Sequence, residues 1–217
     1  MAGEQTATAR RWAGPLAAAV LLLFAVNTVL VVTGVIRASF DIPVERALQS
    51  APWGPLTHWM MLTNATDALA QGLVGAAVVV VLLIWNRRAA ALMALGSIAV
   101  LMGQVIKVLI HRHPPPLDGF AVHDAPTGFS YPSGHAVFFT WLSFMLVAVV
   151  LPSLRPGWRL LISILAGVQI ALACIGRVWV GVHWPTDVIG GFLLALGWCL
   201  LVLWLAERRR RYGAGQG

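Results

Sequence analysis

The stretch Arg177-Val178-Trp179-Val180-Gly181-Val182-His183-Trp184-Pro185-Thr186-Asp187 lies between two long apolar runs. Ionisable side chains are scarce on either side, so this reactive set is confined to a short polar gap at the mouth of two expected membrane helices. Pro185 suits the first turn of a helix, where its missing N–H would have no intrahelical partner. His183 and Asp187 then stand four residues apart and can meet on one face. A carboxylate against one imidazole nitrogen fixes the tautomer and raises the basicity of the other nitrogen, which can attack an electrophile. Arg177 adds a planar, permanently charged fork suited to phosphate oxygens. The same His and Asp could instead simply cap the helix beside them, and this stretch by itself leaves both readings open.

Working outward, the whole chain of 217 residues is 59% hydrophobic and only 11% charged, with a mean hydropathy of +0.81. Soluble domains carry roughly 25% charged residues, so the composition selects an all-α, polytopic membrane bundle. No hydrophilic insertion is long enough to build a second domain, and residues 1–217 are expected to form one membrane domain. The net charge of +7 and pI near 11 could signal nucleic acid. However, most arginines flank apolar runs, as membrane orientation requires. No basic stripe interleaved with aromatics occurs, so no nucleic-acid partner is expected. Cys174 and Cys199 lie inside apolar stretches without metal-ligand spacing and read as buried small residues.

Six transmembrane helices are expected, at Gly14–Ile36, Asp67–Trp85, Ala89–Ile110, His135–Leu151, Leu160–Ile175 and Val188–Ala206. Together they make a core over 14–206, between a cytoplasmic tail at 1–13 and a basic cytoplasmic tail at 207–217. The first run is too long for a signal-peptide core and no small-residue cleavage pattern follows, so it is expected to be retained. Residues 37–66 read as an amphipathic connection at the interface, with Trp53, His58 and Trp59. The connection 111–134, with His111, Arg112, His113, Pro114 to Pro116, Asp118, His123 and Asp124, is too rich in proline for a regular helix.

Charge fixes the orientation. With the N-terminus inside, the inner side holds ten basic residues: Arg10, Arg11, Arg87, Arg88, Arg155, Arg159 and Arg208 to Arg211. The outer side or outer helix ends hold five: Arg37, Arg46, Lys107, Arg112 and Arg177. This excess obeys the positive-inside rule and puts both termini in the cytoplasm and the reactive residues on the outer face.

Three polar clusters meet at those outer ends: Lys107 with Arg112, Tyr131-Pro132-Ser133-Gly134-His135, and Arg177 with His183 and Asp187. Ser133 and Gly134 immediately precede an apolar helical run, so their backbone N–H groups can point at an anion. His135 is placed to give a proton to a leaving oxygen. Fixed cations, a helix-start nest, two histidines and one carboxylate suit a phosphoryl group held electrostatically while a histidine attacks it. One Asp beside three cations is a poor divalent-cation site. A zinc site from His111, His113 and His123 lacks a clear fourth ligand. No metal and no cofactor are expected.

Pro132-Ser133-Gly134-His135, followed by Arg177-x5-His183-x3-Asp187, resembles the type 2 phosphatidic acid phosphatase (PAP2) superfamily over roughly residues 60–206. The resemblance implies a six-helix core, a phosphoryl-accepting His183 supported by Asp187, and leaving-group protonation by His135. It also implies phosphate binding by Lys107, Ser133 and Arg177, to which the reading of the residues themselves adds Arg112 and Gly134 as phosphate contacts. Two positions depart from the family pattern: Pro114 stands where an arginine is usual seven residues after Lys107, and Gly176 where a serine usually precedes Arg177. Each removes one potential phosphate donor.

The expected function is metal-independent hydrolysis of a lipid phosphate or pyrophosphate at the outer leaflet of a plasma membrane, through a phosphohistidine. Polyprenyl pyrophosphate, phosphatidic acid and phosphatidylglycerol phosphate are all admissible substrates. The rivals are a transferase using the same site and a non-catalytic membrane protein that binds lipid phosphate. Membrane lipids are the other partners, and the sequence leaves the oligomeric state open.

Overall fold

The computed structural model describes residues 2–116, 120, 121, 123 and 128–213. Asp118 and Asp124 of the proline-rich connection, and the last four residues of the basic tail, lie outside them. The described elements are α1 (Ala2–Thr33), a π-helical turn (Arg37–Asp41), α2 (Ile42–Ser50), α3 (Leu56–Asn64), α4 (Ala68–Trp85), α5 (Arg87–Gly96), α6 (Ile98–Ile110), α7 (Gly134–Val150), α8 (Pro156–Trp179) and α9 (Pro185–Gly213).

Among the described residues, six segments are long and apolar enough to cross a membrane: Ala13–Thr33, Ala68–Trp85, Arg87–Ile110, Gly134–Ser153, Pro156–Trp179 and Pro185–Arg211. The number matches the sequence reading; the ends differ where local chemistry extends a helix. Pro156 and Pro185 each occupy a first turn, so α8 and α9 start earlier than expected. At its other end α8 runs on past Arg177, and α9 runs through Arg208–Arg211, so most of the basic tail is helical. The backbone of the expected N-terminal tail is likewise part of α1.

The third span is two helices with a break at Ser97, whose hydroxyl donates to the Ala94 carbonyl at 2.7 Å. Asn86 makes the sharp turn into α5 by accepting from the N–H groups of Arg88 and Ala89. The side chain of Asp67 caps α4 through Ala70 N–H at 2.7 Å. In the connection 37–66, α3 carries His58 and Trp59 on exposed surface, as an interfacial segment would.

Helix α9 is the axis of the bundle, with α1 packed along one side and α7 along another. The approach of α7 is close: a Cβ on Gly190 would fall 2.6 Å from the Tyr131 ring, and one on Gly191 2.6 Å from the Ser133 carbonyl. A core of Met93, Val137, Trp141, Met145, Leu194 and Cys199 fills the interior, and the Trp141 indole N–H donates to the Met93 carbonyl. Large apolar side chains also cover the outside, among them Leu22, Leu73, Ile84, Leu109 and Leu165. Water would penalise such a belt, whereas hydrocarbon does not.

Long-range hydrogen bonds gather the C-terminal ends of α1, α6 and α8 and the N-terminal ends of α4, α7 and α9 at one end of the bundle. The three polar clusters therefore share that end.

Candidate active site

His183 sits in the turn between α8 and α9, which Gly181 closes with a positive φ of 80° that disfavours any residue with a Cβ. Asp187, two residues after Pro185, is fully buried. Its Oδ2 accepts from Trp184 N–H at 2.9 Å and lies 3.6 Å from His183 Nδ1. Capping and orientation of the histidine thus belong to the same carboxylate. The His183–Asp187 separation is longer than a hydrogen bond, so in this geometry the carboxylate faces the ring without bonding it. His183 is only 5% exposed. Burial pushes its imidazole down to about 4; the Asp187 carboxylate opposes this, while Arg177 and Lys107 add to it. At neutral pH the ring is therefore uncharged, and a proton on Nδ1, the nitrogen that faces the Asp187 carboxylate, leaves the Nε2 lone pair for attack.

His183 borders a polar pocket of about 550 Å³ together with Lys107, Arg177, His135, Gly134, Gln71, Gln104, Asn64 and Thr66. Arg177, buried at the end of α8, donates from Nη1 to Asn64 Oδ1 at 2.6 Å. His135 Nε2 lies 2.8 Å from the Thr66 carbonyl. Because a carbonyl only accepts, that nitrogen carries a proton, and Nδ1 is left for proton exchange.

Two expected phosphate contacts are placed differently. Ser133 is fully buried, its N–H donates to the Asp187 carbonyl at 3.0 Å, and it does not border the pocket. Of the expected helix-start pair, only Gly134 does. Arg112 also lies outside the pocket lining: Nη1 meets Asp187 Oδ1 at 2.5 Å and Thr186 Oγ1 at 2.7 Å, and Nη2 meets Asp41 Oδ2 at 2.5 Å. Two buried carboxylates attract the guanidinium more strongly than an open pocket does. The histidines of the proline-rich connection are dispersed among ring contacts, His111 and His113 against Phe129 and His123 stacked on Trp179.

The sequence model of the PAP2 superfamily matches residues 89–211, more than half the chain and all of the motifs above. The chain belongs to the PAP2 superfamily. Among curated relatives, an undecaprenyl-diphosphatase of Sulfolobus acidocaldarius is 37% identical over 100 residues, covering 45% of each chain. Phosphatidylglycerophosphatase B of Bacillus subtilis is 37% identical over 116 residues, covering 52% of this chain and 55% of its own. The chain thus spans about half the length of the curated relatives it matches. The crystal structure of a transmembrane PAP2-type phosphatidylglycerolphosphate phosphatase from Bacillus subtilis superposes with a TM-score of 0.71 at 26% identity, over 88% of this chain and 96% of that one. Aquifex aeolicus LpxE, at 18% identity and a TM-score of 0.59, shares the fold over 75% of this chain and 94% of its own.

The departures from the PAP2 pattern have local causes or consequences. Pro114 contributes to the pocket wall without offering a donor. At Gly176 an added Cβ would fall 2.9 Å from Asn64 Nδ2 and 3.1 Å from Met60 Cβ. A serine there would collide with the amide that holds Arg177, so glycine and Asn64 go together. Sequence reasoning missed Asn64, Thr66, Asp41 and Thr186, all of which act on a PAP2 motif residue from a distant part of the chain or through backbone geometry.

Proposed function

We propose that this PAP2 protein hydrolyses a lipid phosphate or pyrophosphate, with His183 carrying the phosphoryl group from lipid to water. The observation that carries the reading is the placement of His183 on the border of a pocket with Lys107 and Arg177, backed by a buried Asp187. Lys107 and Arg177 would hold the phosphoryl oxygens, with the Gly134 backbone beside them. His183 Nε2 forms the N–P bond while the P–O bond to the lipid breaks. The resting His135 ring carries its proton on Nε2, so Nδ1 first takes up a proton from solvent and then passes it to the leaving oxygen. Asp187 stabilises the positive charge the His183 ring then bears. Water next attacks phosphorus and gives a proton to His135; the N–P bond breaks, orthophosphate leaves and neutral His183 returns.

A lipid, rather than a soluble phosphoester, is supported by the shape of the cavity. Ala68, Gln71, Gln104 and Gly134 border both the polar pocket and an apolar groove of about 480 Å³ between α4 and α5 to α7. The groove follows α4 from Ala68 to Val80, which is roughly 18 Å along a helix. A phosphate head in the pocket leaves room for a hydrocarbon chain there. Polyprenyl pyrophosphate, phosphatidic acid and phosphatidylglycerol phosphate all fit this description. The basic residues at the other end of the bundle favour an outward-facing site in a plasma membrane.

The test is phosphate release by purified protein from a panel of those three lipids, with His183→Ala beside the wild type. The wild type should turn over and yield an acid-labile phosphohistidine, and His183→Ala should do neither. Full activity in His183→Ala would eliminate the mechanism.

A further inference from the structure

The π-helical turn after α1 brings Asp41 to the same guanidinium that meets Asp187. Asp41 is fully buried and both its oxygens are occupied: Oδ1 accepts from Thr186 N–H at 2.9 Å, and Oδ2 from Thr186 Oγ1 at 2.8 Å and from Arg112. Arg112 itself is 11% exposed and bridges two carboxylates that are both 0% exposed. We infer that Asp41 and Arg112 are positioning residues, which hold the Asp187 carboxylate behind His183 and keep the arginine of this loop out of phosphate binding. The inference rests on the phosphohydrolase reading above.

Three physical points support it. A guanidinium presents its donors in a fixed fork, so bridging Asp41 and Asp187 settles the angle of both carboxylates at once. A phosphate could recruit Arg112 only by stripping a cation from two buried carboxylates, which would leave their charges unpaired. Finally, Asp187 spans two roles, since Oδ1 faces Arg112 while Oδ2 serves Trp184 N–H and faces His183. Without Arg112, two carboxylates would face each other in a buried site, and one would take up a proton. If that one were Asp187, His183 would lose the charge that stabilises its phosphorylated form. Glu45, buried on α2 beside the same groups, is held up to about 8 by burial and by the Asp41 and Asp187 charges. At neutral pH it therefore adds no third negative charge to the cluster. Asp41 lies outside the residues matched by the PAP2 model, in a segment that reads from sequence as interfacial.

The experiment compares wild type, Asp41→Asn, Arg112→Gln, the double variant and Lys107→Ala, all purified in detergent. It reads kcat and KM on a short-chain phosphatidic acid and the calorimetric affinity for orthophosphate. Asp41→Asn and Arg112→Gln should each lower kcat about ten- to a hundred-fold, the range for losing a partner that orients a reacting group. KM and orthophosphate affinity should stay at the wild-type level. The double variant should lose no more than the worse single variant, because both act through one carboxylate. Lys107→Ala should weaken orthophosphate binding and serves as the reference for a true phosphate ligand. Asp41→Asn leaves the Arg112–Asp187 pair balanced, so it decides the matter even if Arg112→Gln does not fold. A wild-type kcat in Asp41→Asn overturns the inference, as does an orthophosphate affinity in Arg112→Gln as poor as in Lys107→Ala. If the wild type hydrolyses no lipid phosphate, the phosphohydrolase reading fails by itself, and orthophosphate affinity still decides whether Arg112 is a phosphate ligand. A wild type that neither hydrolyses lipid nor binds orthophosphate overturns both.

Discussion

An imidazole attacks phosphorus only while its lone pair is free, and burial is what keeps the His183 lone pair free here. The acid limb of kcat/KM that belongs to His183 should therefore be centred near 4 instead of the ordinary 6.5. An acid limb near 6.5 that vanishes with the His183 side chain would contradict this. Asn64 offers a second test. Its hydrogen bond to a charged guanidinium is worth about 1.5–3 kcal/mol, so Asn64→Ala should lower kcat/KM roughly ten- to a hundred-and-fifty-fold. Gly176→Ser should do the same by displacing that amide, and Gly176→Ser with Asn64→Ala should cost less than the sum of the two, because only the Met60 contact then remains to be relieved. Lys107, His135, Arg177, His183 and Asp187 were legible in the sequence because ionisable residues stand out in an apolar chain. Asn64, Thr66 and Asp41 were not, since each matters only through a partner 113, 69 or 71 residues away. Arg112 was legible as a cation, but its direction was not: that depended on carboxylates whose placement no local pattern encodes.

At the scale of elements, the starts of α8 and α9 at Pro156 and Pro185 lie ahead of the expected Leu160 and Val188, because a proline in the first turn extends each helix. The long spans themselves could be read from hydropathy. The short α2 could not, because its buried Glu45 looks like any solvated charge on an amphipathic turn. The Glu45 carboxyl is raised from 4.5 to about 8, so the folded chain retains a proton there that the unfolded chain releases. Stability should fall as pH rises from about 4.5 to about 8 and stay lower above that. Glu45→Gln should remove this fall, so its gain in Tm over wild type should be larger at pH 9 than at pH 5. An equal gain at both would mean that the carboxyl ionises normally. The groove along α4 makes a different prediction. A Cβ on Gly72 meets nothing within 4 Å, whereas one on Gly75 meets the Trp141 ring at 3.0 Å. Gly72→Leu should therefore project into open groove without disturbing the core. It should reduce kcat/KM on long-chain lipid phosphates while sparing a short-chain analogue. Equal losses on both would separate the groove from substrate binding.

For the molecule as a whole, orientation in the membrane follows from where the arginines stand. In a variant lacking Cys174 and Cys199, a cysteine at Ser50 should react with an impermeant reagent from outside intact cells and one at Ser153 should not. Labelling of Ser153 would invert or break the six-span topology. The pairing of α1 with α9 was invisible in the sequence, because lipid-facing and helix-facing stripes have the same apolar composition. That pairing has a consequence in time. Helix α1 leaves the ribosome well before α9, yet they pack on each other, and Asn27 of α1 donates to the Thr186 carbonyl at the start of α9. During synthesis α1 must wait in the bilayer without its main neighbour while four other spans are inserted. A nascent chain stopped before Pro185 lacks Asp187, the wall on which α7 rests, and the helix against which α1 packs. Premature termination should therefore yield a substrate for quality-control proteolysis, never a weakly active enzyme.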